Sequence, residues 1–195
     1  MIVELRRYTL RPGRRDDLID LFDAEFVESQ EELGMAVLGQ FRDLDRPDRF
    51  VWLRGFADMG VRLRGLRDFY GGPVWKEHGP AANDTMIDSD DVLLLRAIVP
   101  PPATAREGGR SEINAFIWYA EIPFEETAAT LVPDAIAAFT TEYAANDFPA
   151  LPVRAGEHAF AWLSRDDATV EPPQRLKVIR TERLRLHPTA RSALR

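Results

Sequence analysis

Two short segments place an arginine next to an aromatic side chain, a combination suited to binding an oxygen of a flat organic molecule. Arg6 and Tyr8 lie two positions apart near the start of the chain, and Trp52 and Arg54 have the same spacing further along. Side chains two apart in a strand share one face of its sheet. We therefore expect one surface with aromatic walls and a few polar groups, as small-molecule pockets have.

A third segment, which contains Trp75 and His78, follows a predicted helix and completes the candidate pocket. Histidine can move a proton near neutral pH, so His78 and Tyr8 are the candidate catalytic residues. The plainer alternative is that the aromatic residues only fill space and that His78 is a solvated loop residue. The candidate substrate-binding residues are Arg6, Tyr8, Trp52, Arg54 and Trp75.

Composition and motifs exclude several classes of function. The chain has 195 residues, no cysteine and a net charge of −7, which argues against thiol chemistry and against nucleic-acid or membrane partners. Phosphate-binding glycine loops and a G-x-S-x-G elbow are absent, and the three histidines lack metal-ligand spacing. We therefore predict no metal and no cofactor. Without a secretory signal or an apolar run of membrane-spanning length, a cytoplasmic location is expected.

A repeat organises the chain. The segment from Phe50 to Leu53 returns as Phe160 to Leu163, an offset of 160 − 50 = 110 positions. Tyr8 is echoed by Tyr119, at an offset of 119 − 8 = 111. A chain that repeats a strand-like segment in the same order is predicted to contain two copies of one unit.

The first copy has the order strand, helix, strand, strand, helix, strand. This order is typical of the ferredoxin-like unit. Alternating apolar residues predict the strands, and helical spacing with capping and stop residues predicts the helices. The predicted strands cover 2–10, 36–42, 50–56 and 91–99, and the predicted helices cover 14–33, 58–70 and 73–78.

The second copy is shorter, with strands predicted over 112–121, 158–165 and 182–187. Residues 124–143 allow two interpretations, because their alanines favour a long helix whereas Pro133 and the repeat favour a break. We expect a short helix to about Val132 and then a strand over 136–143. Only one helical turn fits between 166 and 181, so the second copy is trimmed.

The predicted fold class is α+β, with two tandem ferredoxin-like (βαββαβ) repeats whose antiparallel sheets pack as an α+β barrel with helices outside. The first repeat covers 1–99, a linker 100–110, and the second, shortened repeat 111–195. We expect the face with Arg6, Tyr8, Trp52 and Arg54 to point into the barrel and Trp162 to serve mainly packing. The expected inward counterparts in the second repeat are Phe160, Trp162 and Ser164, and Ala115, Ile117 and Tyr119.

The run from Glu4 to Gly13 (ELRRYTLRPG) resembles the opening motif of the NIPSNAP family. The runs from Phe148 to Arg154 and from Leu184 to Ser192 are similar to segments of bacterial members. The resemblance implies the dimeric α+β barrel superfamily, which includes cofactor-free monooxygenases of aromatic polyketides and quinols, haem proteins and members of unknown activity. It supplies no settled catalytic residues. It also makes a homodimer a candidate assembly.

Three functional hypotheses follow, and whether the chain is an enzyme stays open. The first is a barrel protein that binds a small aromatic or hydrophobic molecule. If it is catalytic, fold analogy favours a cofactor-independent monooxygenase or isomerase. The second is a non-catalytic assembly protein with a filled barrel. The third, a haem-binding barrel, requires a histidine inside the pocket as axial ligand.

Overall fold

The fold is a closed barrel of eight antiparallel strands. The computed structural model describes residues 1–102, 106 and 109–195, so the predicted linker lies partly outside the described residues. The strands are β1 (Ile2–Leu10), β2 (Ala36–Asp43), β3 (Arg49–Phe56), β4 (Met86–Val99), β5 (Ile113–Ala120), β6 (Ala137–Thr141), β7 (His158–Ser164) and β8 (Val178–Pro188).

Each half of the chain contributes four strands in the ferredoxin-like order. The neighbours around the barrel are β4-β1-β3-β2 from the first half and β8-β5-β7-β6 from the second. The halves join edge to edge, where β2 pairs with β8 and β4 pairs with β6. The predicted fold class is confirmed, and one chain closes the barrel without strands from a second subunit. The domain boundaries at 99 and 111 stay a prediction.

Helices cover the outside of the first half. They are α1 (Arg15–Leu21), a π-helical segment (Phe22–Phe26), α2 (Val27–Glu31), α3 (Met59–Gly71) and α4 (Pro73–Thr85). The side chain of Asp58 caps α3 by accepting from the backbone N–H of Val61 at 2.8 Å. Gly34 has φ of +79°, the left-handed conformation that stops the first helical stretch. Helix α4 is longer than predicted because it continues through Pro80.

The second half has only short 3₁₀ turns, Glu126–Leu131 and Gln174–Leu176, where the first half has helices. The alternative of a long alanine-rich helix is wrong, because residues Ala137–Thr141 form β6. The second repeat is therefore trimmed, as its length predicted. The long loop between β6 and β7 crosses to the helices of the first half, where Phe148 and Leu151 pack against their core.

The barrel interior is filled by apolar side chains from all eight strands. Val3 and Leu5 of β1 and Val51 and Leu53 of β3 belong to this core, and Leu194 of the C-terminal tail packs against it. The interior therefore contains aliphatic side chains where the sequence had suggested a pocket.

The expected inward orientation of Arg6, Tyr8, Trp52 and Arg54 is wrong. Tyr8 and Trp52 lie on the outer face of the sheet and pack with residues of the covering helices. Alternation along β1 and β3 places Arg6 and Arg54 on that same face. The aliphatic sides of β1 and β3 suit the narrow barrel interior, whereas their larger aromatic sides are covered by the helices.

The expected counterparts in the second half lie on two different faces of the sheet. The match of Tyr8 with Tyr119, at an offset of 111, is one residue out of register with the sheet. Arg6 pairs with Trp52 in the sheet, and Phe116 pairs with Trp162, so both equivalences have an offset of 110 rather than 111. A shift of one residue exchanges the two faces of a strand. Hence Ala115, Ile117 and Tyr119 do line the interior, whereas Phe160 and Trp162 lie outside under the short turns.

Replacing Leu194 by alanine should destabilise the barrel, because the side chain is 2% exposed and its loss leaves a cavity. We expect the free energy of unfolding, measured by urea denaturation, to fall by about 2–5 kcal/mol. Ile179→Ala is the control, since Ile179 is 67% exposed, and should change it by no more than about 0.5 kcal/mol. Equal effects of the two substitutions would show that packing of the C-terminal tail against the interior core does not stabilise the barrel.

Candidate functional site

A buried cluster of charges lies between β1, β3 and α3 on the outer face of the sheet. Its centre is Glu4, whose side chain is fully buried. Glu4 Oε2 accepts hydrogen bonds from Arg6 Nη1 at 2.8 Å and from Arg54 Nη2 at 2.7 Å. Glu4 Oε1 accepts from Arg62 Nε at 2.9 Å. One carboxylate thus holds three guanidinium groups, and we call these four residues the Glu4 cluster.

The Glu4 cluster carries an excess of positive charge. Burial opposes the ionisation of Glu4, but the charges of Arg54, Arg6 and Arg62 outweigh it and hold the pKa of Glu4 well below its usual range. Asp147 supplies a second carboxylate, which accepts from Arg62 Nη1 at 2.6 Å. Three guanidiniums and two carboxylates leave a net charge of +1. Glu4 stays ionised and fully hydrogen-bonded, so it is unsuited to act as a general base.

A small aromatic cavity lies beside the Glu4 cluster, between the sheet and the helices. Its volume is about 20 Å³, room for about one water molecule. Tyr70 and Trp75 are partly exposed and their ring centroids are 4.6 Å apart, so they form its solvent side. The cavity is lined by Tyr8, Leu18, Phe22, Phe26, Gln30, Trp52, Phe69, Tyr70, Trp75 and Met86.

Local features of the helices shape these walls. The π-helical segment begins and ends with Phe22 and Phe26, and the Phe22 ring lies 4.8 Å from that of Trp52, centroid to centroid. Single π-helical turns are frequent at functional sites. In α4, a side-chain carbon added at Gly79 would lie 2.7 Å from the Trp75 indole. Glycine at this position therefore lets Trp75 lie flat against its own helix.

Two polar groups at the cavity have a hydrogen-bond donor that no described residue accepts from. Arg6 Nε donates to the hydroxyl of Tyr8 at 2.9 Å, and no acceptor for the Tyr8 hydroxyl hydrogen is found among the described residues. Burial raises the pKa of Tyr8, although Arg6 opposes the shift, so the phenol keeps its proton. Trp52 Nε1 is buried without a hydrogen-bond partner in the described part of the chain. Both groups could donate to an acceptor oxygen.

The structure brings the predicted binding residues together but leaves out one of the two catalytic candidates. Arg6, Tyr8, Trp52 and Arg54 share the outer face of β1 and β3, and the Arg54 guanidinium carbon lies 5.0 Å from the Trp52 ring centroid. Trp75 lines the cavity from α4. His78 is not among the lining residues. Its Nε2 lies 3.5 Å from Glu25 Oε2 on the outer side of the helices.

Four further residues complete the site and were not singled out from the sequence. Arg54 Nη1 donates to Gln30 Oε1 at 2.9 Å, and Phe148 stacks on Tyr70 with ring centroids 6.0 Å apart. Arg62 carried a usable signal, because it falls on the buried stripe of α3 one turn before Leu66. Asp147 and Phe148 come from the distant β6–β7 loop, and no local pattern links that loop to this site.

The second half carries no equivalent of the Glu4 cluster. Its outer face is aromatic, and the rings of Phe116 and Trp162 stack with centroids 5.0 Å apart. The sheet register identifies the equivalent positions, where Asn114 replaces Glu4, Phe116 replaces Arg6, Trp118 replaces Tyr8 and Ser164 replaces Arg54.

Fold and site together define an α+β barrel protein with a polar site under the helices of one half. The NIPSNAP family model matches residues 3–99, the half that holds the Glu4 cluster. The first half of the chain is therefore a NIPSNAP domain. No curated protein matches its sequence.

Solved structures share the whole fold at low sequence identity. A proposed monooxygenase from Fusobacterium nucleatum aligns with a TM-score of 0.61 and 7% identity over 96% of this chain and 91% of that one. A proposed monooxygenase from Lactobacillus acidophilus aligns with a TM-score of 0.58 and 12% identity over 96% and 93%. A NIPSNAP family protein from Agrobacterium tumefaciens aligns over 52% of this chain and 92% of its own, with a TM-score of 0.45 and 20% identity.

The described residues contain no group of three or more histidine, aspartate or glutamate side chains placed to hold a metal ion. None of the described helices is long and apolar enough to cross a membrane.

Replacing Glu4 by glutamine should destabilise the protein strongly, because three buried guanidiniums lose their shared counter-ion. We expect the free energy of unfolding at pH 7 to fall by about 3–5 kcal/mol, measured by urea denaturation. Glu32→Gln is a matched control on an exposed glutamate and should stay within about 0.5 kcal/mol of wild type.

The free energies of unfolding of wild type and of Glu4→Gln should also depend differently on pH. The pKa of Glu4 is depressed in the folded state, so its stabilising effect is complete above the ordinary value of 4.5 and is lost as the pH falls below it. The difference between wild type and Glu4→Gln should therefore shrink progressively below pH 4.5. A difference that is constant down to the acid transition would contradict the ionised state of Glu4.

Proposed function

We propose that this protein binds a small, flat aromatic molecule that carries an acceptor oxygen, such as a phenol, a quinol or an enol. The binding site is the aromatic cavity between the sheet and the helices of the first half. The observation that carries the proposal is the donor character of the cavity's polar end. The Tyr8 hydroxyl and Trp52 Nε1 both lack an acceptor in the described part of the chain, next to the Glu4 cluster, which together with Asp147 has a net charge of +1.

The polar end favours an oxygen that holds negative charge. Arg6 Nε already donates to Tyr8 Oη, so the Tyr8 hydroxyl hydrogen stays available to a ligand acceptor. A ligand oxygen that accepts this hydrogen becomes linked through Tyr8 to the Arg6 guanidinium. In a buried site such charge-assisted hydrogen bonds are stronger than neutral ones. A phenolate or enolate is therefore preferred over a neutral hydrocarbon of the same shape.

The aromatic walls supply the surface for the ring of the ligand, but the cavity must open to admit it. Its 20 Å³ compares with about 300–1,000 Å³ for small-molecule pockets. Tyr70 and Trp75 form the partly exposed side, and Phe148 covers Tyr70 from the β6–β7 loop. We propose that outward rotation of these rings makes the space, while the Glu4 cluster stays fixed.

The site also indicates which chemistry it would assist. Glu4 is saturated by guanidiniums and Tyr8 keeps its proton, so neither residue is suited to remove a proton from the substrate. The site instead suits a substrate that arrives already ionised, a phenolate or enolate whose oxygen charge the donors stabilise while dioxygen oxidises it, a cofactor-independent oxygenation. The two proposed monooxygenases that share the fold support oxygenation, by fold analogy alone.

A second candidate function, a non-catalytic assembly protein, is favoured by the filled barrel interior. Ile87 and Ile179 are 64% and 67% exposed and are available to a partner surface. Native mass spectrometry distinguishes the two proposals. A stable oligomer that Ile87→Asp or Ile179→Asp dissociates would favour assembly, whereas a co-purified aromatic molecule would favour the pocket. A cytoplasmic location and a homodimer stay predictions.

Tyr8→Phe should weaken the binding of a phenolic ligand without affecting that of the matching hydrocarbon. We expect the affinity for 2-naphthol, measured by titration calorimetry, to fall by about five- to tenfold, the effect of one lost hydrogen bond. The affinity for naphthalene should be unchanged, because that molecule accepts nothing from the hydroxyl.

Tyr143→Phe is the matched control, since Tyr143 is 56% exposed and lies outside the cavity. It should bind 2-naphthol as wild type does. The proposal fails if 2-naphthol does not bind, or if both tyrosine variants bind it as tightly as wild type.

A further inference from the structure

A second cavity opens at one end of the barrel, on the inner side of the sheet. β2 ends at Asp43 and pairs with β8 only from Leu186 to Pro188. The part of β8 from Val178 to Leu184 pairs with β5 on one side and, among the described strands, has no neighbour on the other. The resulting cleft has a volume of about 730 Å³, within the range of small-molecule sites. We call it the mouth cleft.

Arginine is the commonest residue type in the mouth cleft. Arg183 also borders it, but its guanidinium is held at 3.0–3.1 Å by Asn114 Oδ1 on the outer face. The other charged lining residues are five arginines, Arg7, Arg46, Arg49, Arg154 and Arg180, and four acids, Asp88, Asp90, Asp91 and Glu182.

Some of these charges satisfy one another. Arg7 donates to Asp91 Oδ1 at 2.7 Å and to Glu182, and Arg154 donates to Asp91 Oδ1 at 3.2 Å. Arg180 forms ion pairs with Glu182 and Glu157, both at 3.0 Å. These pairs explain how the end of the barrel holds charged side chains, but they do not account for every arginine.

Three arginines of the mouth cleft have guanidinium N–H groups that could still donate to an anion. Arg7 is only 3% exposed, and its Nε is buried without a hydrogen-bond partner among the described residues. Arg46 and Arg49 form no side-chain hydrogen bond or ion pair within the described part of the chain. Burial, together with the positive charges of Arg46 and Arg7, lowers the pKa of Arg49. Arg46 and Arg49 are therefore available to an anion, although Asp88 and Asp90 also line the cleft.

We infer that the mouth cleft is a second ligand site, which binds a small polyanion between Arg46, Arg49 and Arg7. Guanidinium groups match the geometry of phosphate and carboxylate oxygens and bind them through paired hydrogen bonds. A bound oxyanion would neutralise Arg46 and Arg49 and supply an acceptor for Arg7 Nε. The site is separate from the aromatic cavity, because Arg7 points to the opposite face of β1 from Arg6 and Tyr8.

Titration calorimetry of the full chain tests this site with two probes, pyrophosphate and citrate. We expect at least one probe to bind, and to bind more weakly as salt is added. The double variant Arg46→Gln/Arg49→Gln should lose about tenfold or more in affinity, because charge-assisted hydrogen bonds are removed. The tighter probe identifies phosphate or carboxylate as the preferred anion.

Arg64→Gln/Arg67→Gln is the matched control. It removes two exposed arginines from α3, outside the mouth cleft, and causes the same change in net charge. This variant should bind the probe within about twofold of wild type, since a distant exposed charge is screened by salt. The inference is overturned if neither probe binds, or if the two double variants lose affinity equally.

Discussion

The first half of the structure depends on one buried carboxylate and the three guanidiniums that surround it. Glu4 binds Arg6 on its own strand, connects β1 to β3 through Arg54 and connects the sheet to α3 through Arg62. Asp147 extends these contacts to a loop from the other half of the chain. Removing one partner of a buried ion pair costs far more than an exposed pair contributes, because the remaining charge stays desolvated. The same contacts that hold the helices on the sheet therefore fix the polar end of the aromatic cavity.

Alternation along the strands divides the barrel into two regions with different chemistry. Leu5 and Leu53 face the interior, while Arg6 and Trp52 on the same strands face the helices. The mostly aliphatic interior gives the barrel its core. Polar groups reappear on the inner face only where the strands end, at Arg7 and the mouth cleft. The two candidate sites thus lie on opposite faces of one strand.

Much of the fold could be predicted from sequence, since the repeat of the Phe50–Leu53 segment, the helical spacing of the first half and the short stretch between 166 and 181 are local signals. Which face of β1 meets the helices could not be predicted, because each face carries both apolar residues and arginine. The match of Tyr8 with Tyr119 differs by one residue from the equivalence that the sheet register gives. A difference of one residue exchanges the inner and outer faces of a strand. The arginines and aromatic residues of the site were identified correctly as neighbours, because spacing within a strand is local. Asp147 and Phe148 could not be assigned, because only the folded chain brings their loop to α3.

The central claim is that a phenolic ligand binds under the helices rather than inside the barrel. A crystal structure of the protein soaked with 2-naphthol tests this most directly. The account predicts the naphthol oxygen within hydrogen-bond distance of the Tyr8 hydroxyl, the rings against Trp52, and Tyr70 or Trp75 rotated outward. A ligand found in the barrel interior or only in the mouth cleft, or a cavity unchanged at saturating ligand, would contradict it.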